Sequence, residues 1–209
     1  MKKKAFRLIM FLFGMTLNSL AVYLVIVSES GTHPIDAIAI GLNAKFGLTI
    51  GTWLNINSFL MVLIAALVAK SKIRLICFAV SAGFGFLIDF WGLINIVDVS
   101  RVDTLLWYRI LLFGAGILIN AIGIAIYMST GYPLSALDNM MVSIKERTKW
   151  PLMISRLVME SVLMVIGLLL SGPIGVGTFV IIFAFSYFID MAYKLINPVY
   201  KRIEDRLAD

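Results

Sequence analysis

Six apolar stretches, at 6–27, 50–69, 74–97, 105–127, 151–170 and 174–196, leave almost no chain from which a water-soluble core could be built. A helix needs about 20 residues to cross the hydrocarbon layer of a bilayer, and each stretch is of that order. Lipid offers no water to satisfy backbone amides, so runs of this kind must be helical. Composition agrees: 61% of the 209 residues are hydrophobic and 14% charged, where soluble domains are about half apolar and a quarter charged. The expected fold is all-α, a polytopic membrane protein with six transmembrane helices. The first stretch, after Lys2, Lys3, Lys4 and Arg7, is too long for a secretory signal core of about 7–15 residues and is followed by no convincing small-x-small cleavage site, so it is expected to be the first span.

The pattern is written twice. Gly31-Thr32-His33-Pro34-Ile35-Asp36-Ala37-Ile38 is answered by Gly131-Tyr132-Pro133-Leu134-Ser135-Ala136-Leu137-Asp138, Phe13-Gly14 by Phe113-Gly114, and Phe86-Leu87-Ile88-Asp89 by Tyr187-Phe188-Ile189-Asp190. Internal repetition of this kind governs a fold. After each Gly-Pro break comes a segment, 34–46 and 133–147, too short and too polar to span. Both are predicted to be re-entrant or interfacial helices, each started by a proline, which suits a first helical turn. The chain then divides into a three-helix membrane repeat at 1–100, a second at 101–198, and an amphipathic tail at 199–209 on the inner leaflet.

Charge sets the expected orientation. With six spans, the basic residues before span one, between spans two and three (Lys70, Lys72, Arg74), before span five (Lys145, Arg147, Lys149) and at the end (Lys194, Lys201, Arg202, Arg206) share one side. Lys45 and Arg101 face the other. The positive-inside rule then puts both termini in the cytoplasm. Three spans per repeat is an odd number, so the second repeat enters the membrane inverted, as in many secondary transporters.

Four motifs in order carry a resemblance. Gly31-Thr32-His33-Pro34-Ile35-Asp36 leads to Gly41-Leu42 and then to Gly47-Leu48-Thr49-Ile50-Gly51-Thr52; Arg156 with Glu160 leads to Gly172-Pro173-Ile174-Gly175-Val176-Gly177-Thr178. Together they resemble the YczE/YyaS/YitT group of bacterial membrane proteins, particularly its YczE-like branch. The resemblance implies a small multi-pass protein of the bacterial cytoplasmic membrane and says little about activity. Ser135 stands where the first repeat has Asp36, and residues 70–74 lack the Gly-Pro-rich form of 172–178.

An ionisable side chain within a span costs at least ~2.5–3.5 kcal/mol, so each needs a reason. Asp89, Arg156, Glu160 and Asp190 are the candidates for solute binding or coupling. Arg156 and Glu160, four apart on one helix face, make either a structural ion pair or a polar wall of a cavity. Asp89 and Asp190 either cap a helix end or meet a base such as Arg109, or else serve as gates. Asn55 and Asn57 add hydrogen-bonding capacity in span two, with ordinary packing as the alternative. In the broken segments, which hold Gly31, His33, Pro34 and Asp36 in the first repeat and Gly131, Pro133 and Asp138 in the second, free N–H groups and the helix dipole would form an anion site, with the alternative that Asp36 in the first turn uses that dipole for stability. His33 is expected in a solvated loop, and Arg109 is expected to snorkel to the interface.

Cys77 is the sole cysteine, so no disulfide or cysteine metal site is expected, and no catalytic, cofactor or metal motif occurs. The basic residues fall at span ends, which argues against nucleic acid. The expected function is transport, or binding for transport, of a small polar or amphipathic solute near the membrane midplane, by a protein that is not an enzyme. The alternative is a non-transporting accessory protein, either the substrate-binding subunit of a larger importer or an assembly factor. Lipid is the expected partner in both, with homo-oligomers possible.

Overall fold

A computed structural model describes residues 2–94, 96–97, 102 and 105–207, without the side chains of residues 152, 153, 184, 186 and 190. Its described elements are all helices: α1 (Lys2–Val27), α2 (Pro34–Phe46), α3 (Ile50–Ala69), α4 (Leu75–Ile94), α5 (Leu106–Ser129), α6 (Ala136–Thr148), α7 (Leu152–Leu169) and α8 (Val176–Arg206). Among the described residues, α1, α3, α4 and α5 are long and apolar enough to cross a membrane. The two arms of α8, Val176–Phe183 and Tyr187–Arg206, set at 46°, make a fifth candidate. The remaining expected span, 151–170, is α7, an 18-residue helix that carries an ion pair. Large apolar side chains point outward, among them Leu93 at 85% exposure, Leu67 at 76% and Phe86 at 69%. An exterior of that kind suits hydrocarbon rather than water.

Local chemistry sets the helix ends. Pro34 starts α2 with Asp36 in its first turn, and the Thr49 side chain caps α3 by accepting from Thr52 N at 3.0 Å. Ser135 caps α6 by accepting from Asp138 N at 3.2 Å. These side-chain acceptors satisfy N–H groups that the helix leaves unpaired. Proline therefore starts only the first short helix; Pro133 lies outside the second, whose cap is a serine.

The central seam is α1 against α5. A Cβ on Gly14 would stand 2.8 Å from Tyr127 N and 2.9 Å from Gly123 O; one on Gly116 would stand 2.6 Å from Val25 Cγ2 and 3.1 Å from Ala21 O. Later residues on α1 meet earlier residues on α5, so the two helices run antiparallel. Adding 102 to the α1 partner and subtracting it from the α5 partners turns one contact set into the other.

The same shift relates the corners that follow. Ser28 Oγ donates to Val25 O at 2.7 Å, and Thr130 Oγ1 donates to Tyr127 O at 2.6 Å. Arg109 Nε donates to Ser28 O at 3.1 Å, and Arg7 Nε donates to Thr130 O at 3.0 Å. Arg109 is thus a clasp on the opposite half's corner instead of a side chain snorkelling to the interface. It also donates to Glu29 O at 2.7 Å. The bounds 34–46 and 136–148 repeat the shift. The glycine-to-glycine alignment of Gly31 with Gly131 is therefore two residues out of structural register, and Asp138, not Ser135, corresponds to Asp36.

The short helices cross between the halves, α2 packing on α7 and α6 on α3. The expected tail continues α8 as far as Arg206, past Pro198. It is held there by Tyr200 stacked on Phe6 at 5.3 Å and by Glu204 paired with Arg7 at 3.2 Å.

Close packing of this kind yields a sharp contrast. Gly123→Ala, which would press a methyl to 2.8 Å from Asn18 N, should lose about 1–3 kcal/mol to overpacking. Gly114→Ala, with nothing within 4 Å, should lose none. Thermal unfolding of the detergent-solubilised variants decides it, and equal melting temperatures would refute the seam.

Candidate functional site

A cavity of about 130 Å3 lies where the two halves meet. It is close to the ~150 Å3 of an engineered protein cavity that admits benzene. Asn18, near the middle of α1, and Asn120, near the middle of α5, line it from the seam. The N-cap and first turn of α2 supply His33, Ile35 and Asp36, and those of α6 supply Ser135, Leu137 and Asp138. Leu54 and Ser58 of α3, Ser81 and Phe84 of α4, Arg156 of α7 and Phe185 of α8 complete most of the wall. Asn18 and Asn120, Val22 and Ile124, Ile35 and Leu137, Asp36 and Asp138, and Leu54 and Arg156 are all related by the shift of 102.

The halves match in position and differ in chemistry. Asp138 has two donors on one oxygen: Ser135 Oγ donates to Oδ2 at 2.9 Å, and Tyr127 OH donates to the same atom in a short hydrogen bond. Ser81 Oγ accepts from Ala136 N at 2.8 Å and steadies the same turn. Asp36 is 5% exposed, and its carboxylate has no hydrogen-bond or ionic partner among the described residues. Asn120 Oδ1 and His33 Nδ1 are likewise buried without a partner. His33 does not sit in a solvated loop; its ring meets Phe185 edge-on, centroids 4.9 Å apart, at the cavity wall.

Arg156 and Glu160 form the expected pair, Nε donating to Oε1 at 2.9 Å. Glu160 is 1% exposed and lies behind the wall, while Arg156 reaches the cavity and sits 5.4 Å from the centre of the Phe185 ring. One side chain thus serves both readings, paired behind and exposed in front. At each short-helix N-terminus the third residue is a carboxylate, so the chain's own Asp36 and Asp138 take the place that an anion would have filled.

Other sequence candidates fall elsewhere. Asp89 accepts from Thr49 Oγ1 at 2.7 Å and from Gly51 N at 2.9 Å, which makes it the cap of α3 supplied by α4, away from the cavity. Asn55 and Asn57 do not line the cavity; Asn55 packs on Gly85, and Leu54, Ser58 and Met61 are the α3 residues that reach the wall. Gly31, Pro34, Gly131 and Pro133 shape the corners without lining the cavity. The side chain of Asp190 lies outside the described residues. Sequence reasoning missed Asn18, Asn120 and Tyr127. A signal for the first two existed, since each is the single amide side chain in its apolar stretch.

Comparison with known proteins follows the sequence resemblance. Residues 5–200 match the family model DUF6198, described as a family of unknown function. The chain is 30% identical over 165 residues to "Uncharacterized protein YyaS" of Bacillus subtilis (strain 168), covering 79% of this chain and 81% of that one. It is 28% identical over 166 residues to "Uncharacterized membrane protein YczE" of the same organism, covering 79% and 75%. No solved structure matches. Apolar helices and these relatives together make the chain an integral membrane protein in contact with the lipid bilayer.

Two stability contrasts follow from the contacts. Asp89→Ala should cost about 0.5–2 kcal/mol, as lost helix caps do, whereas Asp36→Asn, which removes a buried and unpartnered charge, should hold or raise the melting temperature. Arg156→Met alone should cost about 3–5 kcal/mol by stranding the Glu160 carboxylate, and adding Glu160→Leu should restore most of that loss. Thermal unfolding checks both; a more stable Asp89→Ala, or no recovery in the double variant, would contradict the assignments.

Proposed function

We propose that the chain, which belongs to the DUF6198 family, binds a small polar or amphipathic solute in the cavity between its halves and carries it across the membrane. In this reading, α1, α3, α4, α5, α7 and α8 are six spans in two inverted three-helix repeats, with both termini in the cytoplasm. The observation that carries it is the cavity wall itself: matched residues of the two halves line it together, and α1 and α5, which correspond, run antiparallel. Inverted repeats that rock about a shared site at mid-depth are the usual architecture of alternating access. The two arginine clasps, Arg7 on the corner at Thr130 and Arg109 on the corner at Ser28, close opposite ends of the seam and suit a pair of alternating gates.

The reading predicts access from both compartments. With Cys77→Ser as background, Ser58→Cys, at the cavity wall, should react with a membrane-impermeant thiol reagent in right-side-out and in inside-out vesicles. Lys45→Cys and Lys72→Cys should each react in one orientation only, and in opposite ones. Labelling of Ser58→Cys from a single side would reduce the protein to a fixed binding subunit. Lys45→Cys and Lys72→Cys reacting from the same side would overturn the inverted arrangement.

A further inference from the structure

The geometry points to a small organic ammonium ion, a short alkyl chain ending in a protonated amine, as the solute class of this cavity. This rests on the reading of the cavity as a solute site and adds what it selects. Groups that face the cavity and end without a partner are the first consideration. Asp36 is 5% exposed and has no partner among the described residues, and Asn120, 3% exposed, has its Oδ1 unpaired. A buried acceptor without a donor is costly, so these atoms ask for N–H groups brought by something else. A primary ammonium supplies three donors from one small head.

Net charge points the same way. Arg156 is already balanced by Glu160 through the 2.9 Å contact, and so brings little unspent positive charge to the wall. Asp138 accepts from two neutral donors, Tyr127 and Ser135, and Asp36 from none, so the cavity wall carries an excess of carboxylate. An anionic solute would meet both carboxylates in a medium of low dielectric, where like charges repel strongly. A cation meets an unpaired carboxylate that has no competing base within hydrogen-bond reach.

The rest of the wall selects size and tail. Val22, Ile35, Leu54, Ile124 and Leu137 present aliphatic surface, and about 130 Å3 leaves room for a head and a few carbons. A short aliphatic chain gains by leaving water, whereas a bare metal ion would face those side chains with few oxygens to replace its hydration shell.

The test is a thermal-shift series on the purified, detergent-solubilised full chain with n-propylammonium, with 1-propanol, propionate and β-alanine as its neutral, anionic and zwitterionic three-carbon counterparts, and sodium chloride as salt control. A ligand that binds only the folded state raises the melting temperature. The expected result is a rise with n-propylammonium that exceeds the rise with each of the others. It should be lost in Asp36→Asn and kept in Asp89→Ala, which also removes a carboxylate but outside the cavity. The melting temperature of ligand-free Asp36→Asn shows that the variant is folded. A larger shift with β-alanine, propionate or sodium than with n-propylammonium would overturn the ammonium assignment and leave the cavity a solute site of another class. A shift that survives Asp36→Asn, or no shift with any compound, would also overturn it. The transport reading is decided separately by the two-sided labelling of Ser58→Cys.

Discussion

Close approach of two helix backbones is the constraint from which the rest of this structure follows. Lipid tails are as apolar as leucine, so helices in a membrane gain little from burying apolar surface against each other and depend on fit instead. Gly14, Gly116 and Gly123 provide that fit between α1 and α5, where any side chain would collide with backbone or with Val25. Because the two helices are antiparallel and meet through corresponding residues, the seam brings Asn18 and Asn120 together near its centre. It also carries the chain, through the corners at Ser28 and Thr130, into the two short helices.

Those short helices turn a packing arrangement into a site. Each begins at the centre of the molecule with a carboxylate in its first turn, and each crosses to pack on the other half. Duplicated backbone with diverged side chains is the chemical point. On the second half Asp138 is tied by Tyr127 and Ser135 into a closed set of hydrogen bonds, and on the first half Asp36 has His33 and Ile35 as neighbours in the chain and no donor. Arg156 stands where the first half has Leu54, with Glu160 behind it where the first half has Ser58. One half ties its cavity-lining first-turn carboxylate to its own hydroxyl groups, and the other leaves its carboxylate open toward the cavity.

Much of this was legible in the chain, and the failures are specific. Hydropathy located the long helices, and the spacing of Arg156 and Glu160 identified an ion pair that is present at 2.9 Å. Duplication was visible, yet its register was misjudged because Gly31 and Gly131 look alike. Both are turn glycines with positive φ, and such glycines recur wherever a corner needs one, so they are poor markers of equivalence. The true register rests on the paired carboxylates Asp36 and Asp138 and the paired amides Asn18 and Asn120. Asp89 drew attention as an intramembrane charge, but its carboxylate serves the N-terminus of α3, a contact between residues 38 to 40 positions apart that no periodicity predicts. His33, expected in a solvated loop because it lies on the outer side of the break, is instead turned inward onto Phe185.

By itself the sequence determined that the chain is a bundle of apolar helices in lipid, broken twice at comparable points, with a few polar groups that must find partners. Those properties depend on residue type and on neighbours within a helical turn or two, where backbone hydrogen bonding and transfer out of water decide the outcome. Only the tertiary structure decided which polar groups found partners. Asp138 is tied because the corner after α5 folds α6 back until Tyr127, eleven residues earlier, reaches it, whereas the first half has Val25 where the second has Tyr127 and His33 where it has Ser135, and leaves Asp36 without a donor. Contacts such as Arg7 on Thr130, Arg109 on Ser28 and Asp89 on Thr49 join residues far apart in the chain, and no local pattern encodes the distance between them.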